Sequence, residues 1–174
     1  MSLLKLTNDD GTIGVAKQML QISHKKEDAL LQIMLNAAQK IVAEACQVAF
    51  VEDGGSTTFT EYLDGGELNL WPAYLPILSI TSIYDTETEE DVDTDDYTNN
   101  GVRIFDPDEG LWSPGLKRYR VIYIAGYTST TLPGEYADMM LRIFAHKYHN
   151  RDAPLTADMM NGLMIMAKSS RGIG

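Results

Sequence analysis

The hydrophobic pattern is clearest between Arg120 and Arg151, where a strand-like segment precedes a helix-like one. From Arg120 to Tyr127 the residues are mostly β-branched or aromatic, which predicts a strand buried on both faces. After a threonine-rich link, Pro133 fits the first turn of a helix that extends to Arg151. Apolar residues at spacings of three and four predict one buried stripe on that helix: Tyr136, Met139, Met140, Ile143, Phe144 and Tyr148.

A longer helical pattern runs from about Lys25 to Phe50, with Ser23 as its predicted cap. Its predicted buried stripe is Leu30, Leu31, Met34, Ala38, Ile41, Val42, Ala45 and Val48. A turn at residues 8–11 and a cap at Thr12 predict a short helix before it. A last, methionine-rich helix is predicted from Thr156 to near Lys168, followed by a tail at residues 169–174.

Between the helices, after a break at residues 52–56, the apolar period changes to alternation, which indicates β structure. Residues 57–63 and 67–71 are predicted to form a hairpin through the turn at residues 64–66. Further strands are predicted at residues 77–84, 102–105 and 116–125, and an acidic loop at residues 85–96. The sequence therefore predicts an α+β fold, in which a helical bundle (a long central helix plus C-terminal helices) carries an inserted antiparallel β meander. We expect a single domain over residues 1–174, with helical parts at about 12–50 and 133–168 and the insertion at about 56–126.

The net charge of −11 is concentrated in the predicted insertion. Residues 52–109 contain sixteen acids and one base, Arg103, whereas the remaining residues contain nine acids and thirteen bases. An acidic middle argues against general nucleic-acid binding through that region, because phosphates need cations. The same charge fits either a surface that repels DNA or a docking surface for a basic partner.

No combination of residues in the sequence indicates an active site or a metal site. His146 and His149 have a spacing that zinc sites use, but no third ligand is evident. The acidic run from Asp91 resembles a calcium loop, yet Asp96 and Val102 stand where that loop needs glycine and glutamate. Cys46 lies in a helical apolar pattern and is interpreted as a packed thiol. We therefore predict no enzymatic activity and no cofactor.

Taken in chain order, these segments make the sequence resemble the phage head–tail connector family, the head completion adaptors that sit on the portal. The resemblance covers roughly residues 12–151. The segments that carry it are Ala16-Lys17, Leu20–Ile22, Asp28–Leu31, Phe59–Leu63 with Asp64–Gly66, Leu75–Ile83, Val121–Tyr127, Leu132–Tyr136 and His149–Arg151. The acidic loop is longer than the family needs, and the methionine-rich segment after Pro154 matches no expected tail.

The resemblance implies a structural virion protein at the head–tail junction, made in the host bacterial cytoplasm and not associated with membrane. Copies would form a ring of about twelve under the portal, extend the DNA channel and receive a tail or stopper protein. DNA would pass without specific binding.

Two groups of residues are assigned to this role from their positions in the chain. The acidic loop is the candidate channel-facing surface: Asp85, Glu87, Glu89, Glu90, Asp91, Asp93, Asp95 and Asp96. The candidate subunit interface, whose residues could equally belong to the core, is Met139, Phe144, Met159, Met160 and Met164.

Two other functions remain open from the residues. The first is a small acidic inhibitor that mimics DNA, which the size and negative charge of the chain would fit. A mimic should spread its carboxylates at phosphate-like spacing, whereas here they are concentrated in one segment. The second is a small enzyme or cation-binding domain.

Overall fold

The computed structural model describes residues 14–51, 57–108 and 110–170. The predicted turn at residues 8–11, the cap at Thr12, the break at residues 52–56 and residues 171–174 of the predicted tail lie outside these ranges. The helices are α1 (Val15–Met19), α2 (Asp28–Cys46), α3 (Gly134–His149) and α4 (Ala157–Ser170). The strands are β1 (Thr57–Leu63), β2 (Asn69–Leu70), β3 (Ile77–Asp85), β4 (Glu90–Asp91), β5 (Thr98–Asn99), β6 (Ile104–Phe105) and β7 (Tyr119–Ala125). The predicted α+β class is confirmed.

The long helix is shorter at both ends than the hydrophobic pattern predicts. It begins at Asp28, with Glu27 rather than Ser23 at the cap position, and ends where Gln47 adopts a left-handed conformation (φ 53°). Val48 and Phe50 then form bridges with Leu75 and Tyr127. These apolar residues continue the helical period, but their backbone groups bond to the sheet region, so tertiary contacts override the helical pattern.

The helices enclose one of two hydrophobic cores. Leu31, Leu35, Ala38 and Val42 of α2 are buried against α3 and α4. In the predicted α2 stripe, Ala45 is exposed and not buried. The predicted α3 stripe is buried from Tyr136 to Phe144. The short helix α1 is held against this bundle by Ala16 and by Lys17, whose ammonium donates to Asp28 at 2.7 Å.

The second core lies under a four-stranded antiparallel sheet, ordered β1-β7-β3-β4. The predicted hairpin between residues 57–63 and 67–71 is wrong, because β1 pairs with β7 and β2 pairs with β6 in a separate three-stranded sheet. The N–H groups of Gly65 and Gly66 bond to Gly115 and Trp112, so these turn glycines serve a long-range contact. Strand β7 is fully buried on one face only, because Arg120, Ile122 and Ile124 on the other face are half-buried.

The two cores meet at Gly126. Its N–H donates to the Pro76 carbonyl, and the N–H of Tyr127 donates to the Ala49 carbonyl at 2.9 Å. Gly126 has φ +133°, and a Cβ there would lie 2.9 Å from Val51 Cγ1. The side chains of Phe50, Tyr127 and Tyr136 cluster beside it with ring centres 5.6–6.5 Å apart. Only glycine suits both this conformation and this space.

Candidate functional site

Seven of the eight predicted channel-facing carboxylates are exposed on or just after the β3–β4 hairpin. They are Glu87, Glu89, Glu90, Asp91, Asp93, Asp95 and Asp96. The segment is ordered by its backbone: Val92 donates to Ile83 at 2.8 Å, and Asp93 caps a 3-10 turn by accepting from the Asp95 N–H. We call these seven residues the acidic tip. The predicted loop is therefore a structured hairpin followed by a turn.

Asp85, the eighth predicted residue, is buried and does not belong to the exposed surface. Arg118 holds its carboxylate through Nε at 2.9 and 3.0 Å and through Nη2 at 2.7 Å. The same guanidinium donates from Nη1 to Glu87 at 2.6 Å and to the Pro114 carbonyl at 3.0 Å. Arg118 therefore fastens the hairpin to the start of β7. Asp85 therefore contributes no exposed carboxylate to the acidic loop, because its side chain is buried in this ion pair. Which residues face the channel stays a prediction.

The electrostatics of the hairpin follow from these contacts. Burial by itself raises the pKa of Asp85, but the hydrogen bonds from Arg118 and from the Glu87 and Thr88 N–H groups outweigh it and lower the pKa below its usual value. For Tyr97, burial and then the charges of Asp91 and Asp93 raise the pKa. The hairpin thus keeps Asp85 ionised and concentrates negative potential around Tyr97.

A cavity of about 420 Å³ lies between the acidic tip and the loop that precedes β7. Its walls include Asp85, Asp96, Asp106, Trp112 and Tyr119. The side chain of Asp106 accepts from the Asp108 N–H at 2.7 Å, so it stabilises its own turn. Across the described residues, no group of three or more His, Cys, Asp or Glu side chains is arranged to hold a metal ion.

The acidic tip lies at the end of the sheet that is farthest from the helices. Strand β7 runs from Tyr119, opposite Asp85, to Ala125, which adjoins the Gly126 junction. Helix α2 runs toward that junction and α3 away from it. The start of α2 and the end of α3 therefore lie together at the opposite end, where Tyr148 donates to Glu27 at 3.4 Å.

That opposite end carries a group of cations. Lys25 and Lys26 precede α2, while Lys147 and Arg151 are at and just beyond the end of α3. Cations are favourable at a helix C-terminus, because the backbone carbonyls there carry partial negative charge. Charge is therefore distributed unevenly over the subunit. The sheet end carries carboxylates, and the helical end carries both signs of charge with more cations.

The predicted interface residues separate into buried and exposed groups. Phe144 is fully buried and Met139 is 9% exposed, so both lie in the helical core. Met159 is half-buried. Met160 and Met164 are 48% and 55% exposed, and Ile165, which sequence reasoning missed, is 68% exposed. Helix α4 thus presents an apolar outer face, which we call the α4 ridge, formed by Met160, Met164 and Ile165.

An apolar groove of about 340 Å³ lies between α2 and β1, and no sequence pattern pointed to it. Its floor contains Val48, Ala49 and Phe50, and its sheet wall contains Phe59 stacked on Tyr74 at 4.5 Å. Its helical wall contains Asn36, Lys40 and Ala43. We call this the α2–β1 groove. It could not be recognised in advance because it joins residues far apart in sequence.

Two residues that could have suggested chemistry, Cys46 and His146, have structural contacts. Cys46 is buried with its thiol 3.9 Å from the Leu163 carbonyl, and burial followed by the charge of Glu135 raises its pKa to about 11. A thiol with that pKa is protonated at neutral pH and is a poor nucleophile. His146 contacts the Pro154 carbonyl through Nε2 at 2.9 Å. In the described part of the chain, no helix has the length and hydropathy needed to cross a bilayer.

Comparison with known proteins gives matches through structure and not through sequence. No protein-family model matches the chain, and no curated protein matches it by sequence. A chain from the neck of an empty GTA particle, computed with C6 symmetry, is similar with a TM-score of 0.63 and 17% identity. That similarity covers 90% of this chain and 86% of the other. A chain from the virion of a native gene transfer agent (GTA) particle has the same TM-score and coverages with 19% identity.

A third similar chain comes from the neck of a native GTA particle computed with C12 symmetry. Its TM-score is 0.58 and its identity 20%, and the similarity covers 82% of each chain. Coverage of this extent includes both the helical part and the sheets. The protein described here therefore shares its fold with chains from GTA particles, two of them from the particle neck, in agreement with the resemblance carried by its sequence.

Proposed function

We propose that this protein is a structural subunit of a ring at the head–tail junction of a virion. The ring would lie under the portal, extend the DNA channel and receive a tail or stopper protein. The observation that carries the proposal is the fold shared with a GTA neck chain over 90% of this chain. The connector resemblance of the sequence, which rests on separate evidence, supports the same role and implies about twelve copies.

The polarity of the subunit supports this arrangement. Copies related by a single rotation axis all point the same way, so a ring repeats its acidic tip on one rim or along one surface. Seven exposed carboxylates per copy then create a strongly negative band. Such a band facing the channel repels the phosphate backbone, so DNA slides through instead of binding. Asp85 has no part in this surface, because it is buried in its ion pair with Arg118.

The role is tested first by the native mass of the full-length chain and by its binding to the portal protein of the same virus. A closed ring, alone or on the portal, is the expected result. A chain that stays monomeric and does not bind the portal contradicts the proposal. If that chain instead competes with DNA for a basic enzyme, the acidic mimic becomes the better explanation.

The channel-facing assignment has its own test. The variant replaces the seven acidic-tip carboxylates with their amides and leaves Asp85 unchanged. We expect rings to form normally, whereas packaged DNA should be retained or ejected abnormally in particles that contain the variant. Normal assembly together with normal DNA passage would show that the acidic tip does not face the channel.

A further inference from the structure

A ring of more than two copies requires two different complementary surfaces on each subunit, since each copy contacts its two neighbours through opposite sides. The described residues present two open apolar surfaces of different shape. One is concave, the α2–β1 groove, and the other is convex, the α4 ridge. A concave and a convex apolar surface on one subunit are candidates for the two sides of such a contact.

The two surfaces face different directions within one subunit. On α2, the buried residues Leu35, Ala38 and Val42 face α3 and α4, whereas Asn36, Lys40 and Ala43 line the groove. At 3.6 residues per turn, these two stripes are separated by roughly 130° around the helix axis. On α4, Leu163 and Met166 are buried, and Met164 and Ile165 point away from the bundle. Among the described residues, the ridge of a chain therefore does not fill the groove of the same chain, which leaves the ridge of a neighbour as the candidate occupant.

The chemistry of the two surfaces also matches. The floor and sheet wall of the groove offer aliphatic and aromatic surface, including Tyr74, which is 41% exposed. Methionine side chains are unbranched and adaptable, so they fill irregular apolar gaps of this kind. Burying Met164 and Ile165 would remove from water the most exposed apolar side chains of α4.

We infer that the α4 ridge of one copy docks into the α2–β1 groove of the next copy around the ring. The occupant of the groove is thus a second copy of this chain, and the contact is heterologous. The inference rests on the proposed ring, and it specifies the contact that closes it. It also assigns a role to the methionine-rich helix, which matches nothing expected from the family resemblance.

The test uses two single variants of the full-length chain. Met164→Glu places a carboxylate on the ridge, and Ala43→Lys places an ammonium at the groove. Each should weaken self-association about tenfold or more, because a charge is forced into an apolar contact. Both residues are at the surface or half-buried, so circular dichroism and thermal unfolding should confirm an intact fold. Leu116→Glu is the matched control, since Leu116 is 88% exposed before β7 and lies outside both surfaces.

Mixing the two variants gives the decisive result. Every second contact then joins the carboxylate on the ridge of one variant to the ammonium at the groove of the other. The contacts between them join an unaltered ridge to an unaltered groove, so rings of an even number of copies should re-form. Self-association that neither variant weakens, or that the mixture does not restore, overturns the inference.

A wild-type chain that is monomeric at every concentration, alone and with portal, overturns the inference too. Portal binding by a variant that no longer self-associates would leave the proposed function standing, so the failure of the contact and the failure of the proposed function are distinguishable.

Discussion

The helical part and the sheet part of this subunit are stabilised in different ways. The helices bury continuous stripes such as Leu31, Leu35, Ala38 and Val42, and their contacts repeat every three or four residues. The sheet part depends on pairings between distant segments, such as Leu63 with Tyr119, and on the Asp85–Arg118 ion pair. The first region is specified locally along the chain, whereas the second is specified by contacts that form only in the folded protein.

The helical part and the sheet part also differ in how their charges are arranged. The helical part has acids and bases interspersed, including the exposed pairs Lys40–Glu44 and Arg142–Asp138 four residues apart. The sheet part gathers its carboxylates at one end, where Arg118 pairs with Asp85 and Glu87. Concentrating like charge in this way does not favour folding. This difference agrees with the proposal that the acidic tip serves an interaction outside the subunit.

The largest expected effect lies in the helical core. Phe144→Ala should lower the free energy of unfolding by roughly 3–5 kcal/mol, because it removes a fully buried ring and leaves a cavity. Chemical denaturation followed by circular dichroism measures this loss. Met164→Ala is the matched control and should change stability by less than about 0.5 kcal/mol, since its side chain is exposed. If Phe144→Ala left stability unchanged but abolished self-association, Phe144 would be an interface residue after all.

The next effect lies at the junction between the two regions. Gly126→Ala should destabilise the protein by about 2–4 kcal/mol, because φ +133° disfavours alanine and the new Cβ would crowd Val51 and Ala49. Gly134→Ala is the control, since a Cβ there meets nothing within 4 Å. We expect the Gly126 variant to unfold in two separable transitions by differential scanning calorimetry, as the two cores lose their connection. A single transition at an unchanged temperature would show that the coupling of the two cores does not depend on Gly126.

The comparison also explains how much of the fold could be predicted. The α3 stripe was predicted correctly because its residues contact one another across single helical turns. The hairpin predicted after Leu63 is wrong. The glycine turn that suggested it bonds instead to Trp112 and Gly115, about fifty residues away. Similarly, residues 48–50 continue the helical period of apolar residues, but Val48 and Phe50 form backbone bridges with Leu75 and Tyr127.

The candidate surfaces also differ in whether the sequence alone could predict them. The acidic tip was visible in the sequence because its residues are close together in the chain, but the burial of Asp85 depends on Arg118, which is 33 residues away. Met160 and Met164 could be proposed as surface residues from composition. The exposure of Ile165 and the α2–β1 groove are visible only in the folded structure. Charge and periodicity are local properties of the sequence, and concave surfaces are not.

A smaller effect is expected at the Asp85–Arg118 pair. Asp85→Asn should lower the melting temperature at neutral pH by roughly 3–8 °C, because the guanidinium loses its buried charged partner and keeps only the exposed Glu87. The pKa of Asp85 is lowered in the folded state, so its contribution is present above the ordinary carboxyl pKa and is lost as the pH falls through the folded value. The difference between variant and wild type should therefore shrink below about pH 4. Glu90→Gln is the control, and an equal loss there would show that the pair has no special role.

The smallest effect on stability is expected at the acidic tip. Replacing Glu89, Glu90 and Asp91 with their amides should change the free energy of unfolding by no more than about 0.5 kcal/mol per site, because all three side chains are exposed. Any change should be a gain at low salt, since neighbouring carboxylates repel one another, and added salt should remove the gain by screening. Thermal unfolding at two ionic strengths measures both. A clear loss of stability would mean that these carboxylates support the hairpin and that their charge does not serve an outside partner. Unchanged or improved stability would leave an electrostatic role outside the fold as the physical reason for concentrating so much charge at one end of the subunit.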